Sequence, residues 1–131
     1  MTSNIFDLSE RLLVFSARVI RLLDHLPKTL AGRKIADQLL RATMSVGANY
    51  EESRGTDSRA DFCYKLQIAL KEMRESRYWL CLIAKAELVT TNKIGNLVDE
   101  ATQLRAILGK TVATARGKSR QKETQAISNP S

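Results

Sequence analysis

Apolar residues recur every three or four positions along four separate stretches of this chain. The first stretch contains Ile5, Leu8, Leu12, Phe15, Val19, Leu22 and Leu26. The second contains Ile35, Leu39, Ala42, Val46 and, at the next step, Asn49. The third contains Phe62, Leu66, Ala69, Met73, Ser76, Leu80 and Ile83, and the fourth Ile94, Leu97, Ala101, Leu104 and Leu108. Because this spacing places one apolar seam along a helix, the pattern predicts four helices, over about residues 4–25, 30–53, 58–88 and 91–114.

Helix-ending and helix-starting residues separate these stretches. Pro27 follows the first stretch and Gly55 follows the second, at positions where each residue stops a helix. The run Ser58–Asp61 resembles a capping box that opens the third helix. Four helices with short connections predict an all-α domain over 1–115, folded as an antiparallel up-down-up-down four-helix bundle.

The remaining residues, 116–131, show no apolar periodicity. Gln, Ser, Asn and Pro are frequent there, together with four basic residues against Glu123. This composition predicts a disordered basic tail.

Apolar residues also lie outside the seams. From Tyr78 to Val89 the third helix is apolar on nearly every side, interrupted by Lys85 and Glu87. A helix of this kind is usually buried on two sides, so a second copy of the chain is expected there. The alternative is scattered surface hydrophobes, which are common. The expected oligomer interface contains Tyr78, Trp79, Leu82 and Ala86.

The second helix carries small residues, including Gly47, which permit close approach by a neighbouring helix. A mid-helix glycine costs about 1 kcal/mol relative to alanine, so a packing reason is expected. Asn49 occupies a seam position, where a buried amide needs hydrogen-bond partners and can fix the register of the bundle. We expect a structural polar role for Asn49.

The composition excludes several classes of protein. Apolar residues make up 44% of the chain and aromatic residues 5%, which disfavours an all-β fold. The longest apolar run, Tyr78 to Ala84, is too short to cross a bilayer. On one helix, Cys63 and Cys81 would lie about 27 Å apart, too far for a disulfide. Two reduced cysteines and no secretion signal favour the cytoplasm, without membrane association.

The net charge of +7 points to a polyanionic partner. The tail from Arg116 contributes about +3 of this net charge, and residues 1–115 contribute the other +4. The candidate nucleic-acid-binding residues are Arg33, Lys34, Arg41, Arg54, Arg59, Lys65, Arg74 and Arg77.

Two observations weaken that interpretation. Several basic residues have acidic neighbours one helical turn away, as in Asp37 with Arg41, Asp61 with Lys65, and Lys71 with Glu75. Aromatic residues do not interleave with them as in a single-strand stacking platform. Ordinary surface electrostatics therefore stays open as the alternative.

Catalytic chemistry has few candidates here. The single histidine, His25, follows the first helical stretch, where a cation is favoured by the helix dipole. Glu72 and Glu75 lie one turn apart beside Trp79, but no histidine accompanies them as in carboxylate metal cages. We expect these glutamates to be structural and to pair with Arg41. No catalytic residue, metal ligand or cofactor is predicted.

The second and third helices resemble a bacterial family signature. The segment from Gln38 to Glu52 resembles the pattern Q-L-x-R-A-x-x-S-x-x-x-N-x-x-E. A second set of positions, from Asp61 to Leu80, resembles the next helix of that family. This is the four-helix-bundle family of S23 ribosomal or 23S rRNA intervening-sequence proteins, similar in architecture to the accessory variability proteins of retroelements. The similarity covers about residues 5–110. It departs from the family pattern at one glycine: the family often has Gly directly after the Glu, whereas here Gly55 comes three residues after Glu52.

The resemblance implies a homo-oligomer, expected to be a pentamer, with RNA or DNA and a reverse transcriptase or another protein as possible partners. Together, the patterns and the resemblance predict a non-enzymatic homo-oligomeric bundle that binds nucleic acid or a nucleoprotein. The alternative is a protein-interaction scaffold whose positive charge is incidental.

Overall fold

Four helices form the part of the chain that the structure describes. The computed structural model describes the backbone of residues 7–90 and 92–128 and the side chains of residues 7–90 and 92–117. The helices are α1 (Leu8–Leu23), α2 (Leu30–Arg54), α3 (Arg59–Lys85) and α4 (Lys93–Ser128). These described residues contain no β-strand, and the all-α prediction is confirmed.

Three helices begin at a side chain that caps the first turn. Asp7, Thr29 and Ser58 precede α1, α2 and α3, and each accepts a hydrogen bond from the backbone N–H three residues later. Such caps satisfy an N–H group that has no partner within the helix. The predicted start of the third helix at Ser58 therefore matches the observed cap. The first residue of the predicted first seam, Ile5, lies outside the described residues.

The helices form a closed ring of neighbours. α1 packs against α2, α2 against α3, α3 against α4, and α4 against α1, whereas in the described chain no Cα atoms of the diagonal pairs lie within 8 Å of each other. Arg54, at the end of α2, reaches Ser9, at the start of α1. Lys65, near the start of α3, pairs with Glu52, near the end of α2. These contacts join opposite ends of successive helices, so the up-down-up-down bundle is confirmed.

The predicted seams meet in the core. Each helix contributes large side chains that are almost fully buried, among them Phe15, Leu39, Met73, Leu80 and Leu104. The seam spacing therefore identified the inward face of every helix.

Two glycines of α2 have different surroundings. A Cβ atom at Gly32 would overlap the carbonyl oxygen of Pro27, because the chain entering α2 folds back against its first turn. A Cβ at Gly47 would meet no atom within 4 Å. Among the described residues, the close approach expected at Gly47 is absent and is found at Gly32 instead.

The fourth helix extends further than predicted. α4 continues to Ser128, whereas the sequence predicted an end near residue 114 and a disordered tail from Arg116. Arg, Lys and Gln recur in residues 116–128 and have high helix propensity, and proline occurs only later, at Pro130. The absence of an apolar stripe after residue 115 therefore did not mark the end of the helix.

The third helix ends earlier than its apolar pattern. Glu87 has a positive φ of 54°, and Leu88 N–H donates to the Ile83 carbonyl oxygen in a Schellman-type ending. The apolar run to Val89 therefore includes residues of the turn after Lys85.

Candidate nucleic-acid interface

Arg41 joins α2 to α3 through two carboxylates. Its Nη1 donates to Glu72 Oε2 at 3.0 Å, and its Nη2 forms a second ion pair with Glu75 Oε2. Glu72 is 7% exposed, so its charge is compensated mainly by protein groups. The expected pairing of these glutamates with Arg41 is present.

The indole of Trp79 completes this network. Its Nε1 donates to Glu75 Oε2 at 3.0 Å. This hydrogen bond, together with Arg41, lowers the pKa of Glu75 below its ordinary value against the opposing effect of burial. The pKa of Arg41 is raised, chiefly by its hydrogen bond to Glu75. Arg41 is therefore a structural cation, with much of its donor capacity occupied.

Four of the eight predicted nucleic-acid-binding residues are engaged inside the molecule. Besides Arg41, Lys65 Nζ pairs with Glu52 at 2.8 Å, which raises the pKa of Lys65. Arg54 Nη1 donates to Ser9 at 2.6 Å, and Arg77 Nε donates to Thr102 of α4 at 2.8 Å. Carboxylates compensate the charge of Arg41 and Lys65, whereas Arg54 and Arg77 bond to neutral hydroxyl groups and keep their charge.

The other four candidates are exposed and lie in three separate places along α2 and α3. Arg33 and Lys34 lie in the first turn of α2, and Arg59 begins α3, where its guanidinium stands 5.6 Å from the ring centroid of Phe62. Arg74 lies in the middle of α3. The eight residues therefore do not form one continuous binding surface.

The intrahelical ion pairs expected from the sequence are replaced by contacts between helices. Arg41 pairs with α3 in place of Asp37, and Lys65 pairs with α2 in place of Asp61. Glu75 is engaged by Arg41 and Trp79, so Lys71 forms no ion pair with it. The charge of Lys71 acts on Glu75 without a close ion pair and contributes to lowering the pKa of Glu75.

A basic groove lies between the outer sides of α3 and α4. It encloses about 400 Å³. Its lining residues are Tyr64, Gln67, Ile68, Leu70, Lys71, Arg74, Val112 and Arg116. Three of these are cationic and none is acidic. Tyr64 is 61% exposed, which makes an aromatic face available beside the cations. We call this feature the α3–α4 groove.

The sequence identified only Arg74 among the basic residues of this groove. Lys71 was assigned to a pair with Glu75, and Arg116 was assigned to the disordered tail. Helical spacing offered one signal for Lys71. It lies seven residues after Tyr64, so the two residues share a face of α3. The interpretation that no aromatic residue accompanies the basic ones is corrected by Tyr64.

The residues predicted to join subunits on α3 are exposed to different degrees. Tyr78 is 58% exposed and packs its ring edge against Trp79. Trp79 and Leu82 are half-buried, and Ala86 is exposed. A second apolar surface, which the sequence did not assign to an interface, lies on the outer face of α1, where Leu13, Val14 and Ile20 are exposed.

Asn49 makes only local hydrogen bonds. Its side-chain amide donates to the carbonyl oxygen of Ser45 at 2.9 Å and to the Ser45 hydroxyl at 3.0 Å. Asn49 is half-buried, and neither bond crosses to another helix. A different polar contact links α2 and α3 in the core: Thr43 Oγ1 donates to Ser76 Oγ at 3.3 Å.

Among the residues that the structure describes, no three His, Cys, Asp or Glu side chains converge as a metal site. None of the described helical segments is long and apolar enough to cross a membrane. Cys63 is buried and Cys81 is half-buried, and no disulfide joins them.

Comparison with known proteins identifies the family. The model of the 23S rRNA-intervening sequence protein family matches residues 6–110. The chain belongs to this family. A crystal structure from Bacteroides thetaiotaomicron, of a protein with unknown function from the S23 ribosomal protein family, is similar in fold, with a TM-score of 0.70 and 32% sequence identity. The alignment covers 80% of this chain and 97% of that one. A comparison with curated proteins finds no match.

The family membership confirms the resemblance seen in α2 and α3. The match includes Tyr64, Lys71 and Arg74 of the α3–α4 groove and ends before Arg116. The groove is therefore built partly outside the region that the family model covers.

Proposed function

We propose that this protein is a non-enzymatic, homo-oligomeric four-helix bundle of the cytoplasm that binds nucleic acid, with RNA as its main ligand. The observation that carries this proposal is the α3–α4 groove, whose described lining contains Lys71, Arg74, Arg116 and Tyr64 and no acidic residue. Exposed cations attract phosphates without regard to sequence and give a binding constant that falls steeply with salt.

Tyr64 favours a single-stranded ligand over a duplex. Stacking of a base on an aromatic ring contributes about 1–3 kcal/mol and requires a base that has left its own stack. A looped or single-stranded RNA offers such bases, whereas a regular duplex presents mainly its backbone. The family name refers to an insertion in 23S rRNA and supports RNA as the first ligand to test.

The experiment is a fluorescence-anisotropy titration of the full chain with a labelled single-stranded RNA, an RNA hairpin and a blunt RNA duplex. Each titration is run at about 50 and 200 mM salt, the range over which phosphate contacts weaken strongly. We expect binding at the lower salt, with the single strand and the hairpin preferred over the duplex. No binding of any RNA at the lower salt contradicts the proposal.

Charge-matched variants assign the binding to the groove. Lys71→Gln/Arg74→Gln removes two groove cations, and Arg33→Gln/Lys34→Gln removes two exposed cations from the start of α2. The first pair is expected to weaken binding and to reduce the salt slope by about 1.4, since each lost contact to a single strand changes it by about 0.7. The second pair is the control. Equal loss in both variants indicates a diffuse charge effect and overturns the groove assignment.

A second pair of variants tests stacking. Tyr64→Leu removes the aromatic ring and is expected to weaken single-strand binding about 5- to 150-fold, corresponding to the loss of one stacked base. Tyr64→Phe keeps the ring and is expected to retain affinity. If both variants bind like the wild type, Tyr64 does not stack with a base.

The alternative function is a protein-interaction scaffold. The exposed outer face of α1 favours this candidate, since Leu13 and Ile20 are 66% and 52% exposed and belong to no seam of the bundle. Such a patch is typical of a protein-binding surface. Absence of RNA and DNA binding, combined with stable self-association, would support the scaffold.

A further inference from the structure

One face of α4 continues beyond the α3–α4 groove. Its positions alternate in steps of three and four residues and are Thr102, Arg105, Gly109, Val112 and Arg116. Val112 and Arg116 line the groove, whereas Thr102 accepts the hydrogen bond from Arg77 Nε of α3. Because Arg105 lies on the same face between these two contacts, it borders α3 next to the groove.

The direction of the helices places Arg105 beside Arg74. α3 and α4 are antiparallel and meet at the hydrogen bond from Arg77 to Thr102. A step of three residues from this contact toward the groove leads to Arg74 on α3 and to Arg105 on α4. The two arginines therefore lie at the same level of adjacent helices, and Arg74 already lines the groove. We call Lys71, Arg74, Arg77, Arg105 and Arg116 the basic strip.

The basic strip lacks close acidic partners within the described part of the chain. The ion pairs among the described residues include none of its five side chains. No Asp or Glu stands three or four positions from Arg74, Arg77 or Arg105. Like charges one turn apart on a helix repel each other, and a polyanion lying along the strip relieves this repulsion.

Gly109 leaves the surface open between the groove and Arg105. A Cβ atom at this position would meet no atom within 4 Å. Gly109 stands four residues after Arg105 and three before Val112, on the face of α4 that borders the groove. A strand that occupies the groove can therefore continue past Gly109 to Arg105.

The strip is longer than the groove. A rise of about 1.5 Å per residue separates Tyr64 from Arg74 by about 15 Å along α3, and Arg116 from Thr102 by about 21 Å along α4. One stacked strand advances about 3.4 Å per nucleotide. The groove alone thus accommodates about four nucleotides, and the whole strip about six.

We infer that the α3–α4 groove is one end of a longer site, in which the basic strip holds about six nucleotides of single-stranded RNA. This inference rests on the proposed function and adds Arg105 as a phosphate-binding residue. Tyr64 stacks with a base at one end, and Arg74, Arg105 and Arg77 bind the phosphates of the nucleotides that follow. Their guanidinium groups suit this role because their N–H donors match phosphate oxygens in pairs.

The length of the bound strand tests the inference. Fluorescence anisotropy of the full chain is measured at about 50 mM salt with labelled oligouridylates of two, four, six and eight nucleotides. Affinity is expected to rise from four to six nucleotides, because only the longer strand reaches Arg105 and Arg77, and to change little from six to eight. Affinity that stops rising at four nucleotides overturns the longer site.

Removal of one cation tests the role of Arg105. Arg105→Gln is expected to weaken binding of the octanucleotide about two- to fivefold, the effect of one exposed ion pair, and to reduce the salt slope by about 0.7. The tetranucleotide is expected to be less affected. Arg33→Gln, at an exposed arginine outside the strip, is the control. Equal losses in both variants indicate a diffuse charge effect and contradict the role of Arg105.

Two substitutions of equal size at Gly109 test whether the strand passes this position. Gly109→Glu introduces a carboxylate beside the phosphates, and Gly109→Gln introduces a neutral side chain of the same shape. Gly109→Glu is expected to bind the octanucleotide about two- to fivefold more weakly than Gly109→Gln. Equal affinity of the two variants shows that the strand does not pass Gly109.

These results separate the longer site from the groove itself. If Lys71→Gln/Arg74→Gln weakens binding while Arg105→Gln and Gly109→Glu bind like the wild type, the groove binds RNA and the longer site is overturned. If the wild type binds no RNA of any length, the proposed function fails and the longer site fails with it.

Discussion

At the scale of single residues, Arg41 determines how α2 and α3 are held together outside the core. One guanidinium bridges Glu72 and Glu75, and Trp79 donates a further hydrogen bond to Glu75. Arginine is suited to this position because its planar fork reaches two carboxylates at once, whereas a lysine ammonium is a single point charge. The family signature in this segment therefore includes a contact between two helices.

Replacement of Arg41 tests that contact. Arg41→Met leaves the poorly exposed Glu72 without its cation and is expected to lower the free energy of unfolding by about 1–2 kcal/mol at pH 7. This is less than the loss for a fully buried pair, because the Arg41 side chain is 48% exposed and water reaches it. Urea denaturation measures the change. Arg33→Met, at an exposed arginine of the same helix, is expected to stay within about 0.5 kcal/mol of the wild type.

The effect of Arg41→Met also depends on pH. The pKa of Glu75 is lowered in the folded protein, first by the Trp79 hydrogen bond and then by Arg41. A lowered carboxyl pKa contributes stability above the ordinary value of 4.5, and this contribution is lost as the pH falls through the folded pKa. The difference between wild type and Arg41→Met is therefore expected to narrow below about pH 4. A constant difference between pH 7 and pH 3 would contradict this account.

At the scale of elements, α2 shows how one residue type serves two purposes. Gly32 lies in the first turn, where its N–H donates to Thr29 and Pro27 leaves no space for a Cβ atom. Gly47 lies in the middle of the helix with open space around it. The first glycine permits the turn between α1 and α2, whereas the second carries only the entropic cost of glycine in a helix.

The same substitution at both positions is expected to have opposite effects. Gly32→Ala forces the Pro27 backbone to move and is expected to destabilise the protein by about 1–3 kcal/mol. Gly47→Ala is expected to stabilise it by about 0.5–1 kcal/mol, because alanine restricts the unfolded chain. Urea denaturation at one chain concentration measures both changes.

The two glycine variants serve as controls for each other. Destabilisation by Gly47→Ala together with a smaller assembly would place Gly47 against a second copy, the packing role first expected from its sequence. An unchanged stability in Gly32→Ala would contradict the close approach at Pro27.

At the scale of the whole molecule, two exposed apolar surfaces lie on helices that face away from each other. α1 and α3 are diagonal in the bundle, so the outer face of α1, with Leu13 and Ile20, and that of α3, with Tyr78, point in different directions. A closed ring requires two different patches on each subunit, since each copy contacts its neighbours head to tail. We propose that the α1 surface of one copy packs against the α3 surface of the next.

Light scattering tests this assembly. The expected pentamer has a mass of about 74 kDa, five times the 14.7 kDa chain. Leu13→Asp and Tyr78→Asp each introduce a charge into one patch and are expected to give monomers. A mixture of the two variants retains one intact interface and is expected to form heterodimers. Leu30→Asp, at an exposed leucine outside both patches, is the control and is expected to assemble normally.

The outcome distinguishes a ring from a symmetric pair. If the interface joins identical surfaces of α1, Tyr78→Asp keeps its assembly and the mixture gains no heterodimer. A wild-type mass of one chain would contradict both forms of the proposal.

The amino-acid sequence by itself determined the secondary structure and the inward face of each helix. Residues such as Phe15 and Leu104 recur at seam spacing, and burial of a seam is a local property that spacing alone reveals. Ser58 likewise predicts its own cap, because the partner N–H lies only three residues away. The prediction that the fourth helix ends with its apolar stripe was wrong. Residues of high helix propensity continue the helix after Arg116 without such a stripe.

Only the tertiary structure decided which charges are available to a ligand. The acidic residues expected to pair with Arg41 and Lys65, one helical turn away, compete with carboxylates of other helices. Arg41 and Lys65 therefore form their ion pairs across helices. Lys71 and Tyr64 thereby become parts of a groove with Arg116, which is more than 40 residues away in the chain. The physical reason is that electrostatic pairing depends on distance in space, which the spacing of residues along one helix does not report.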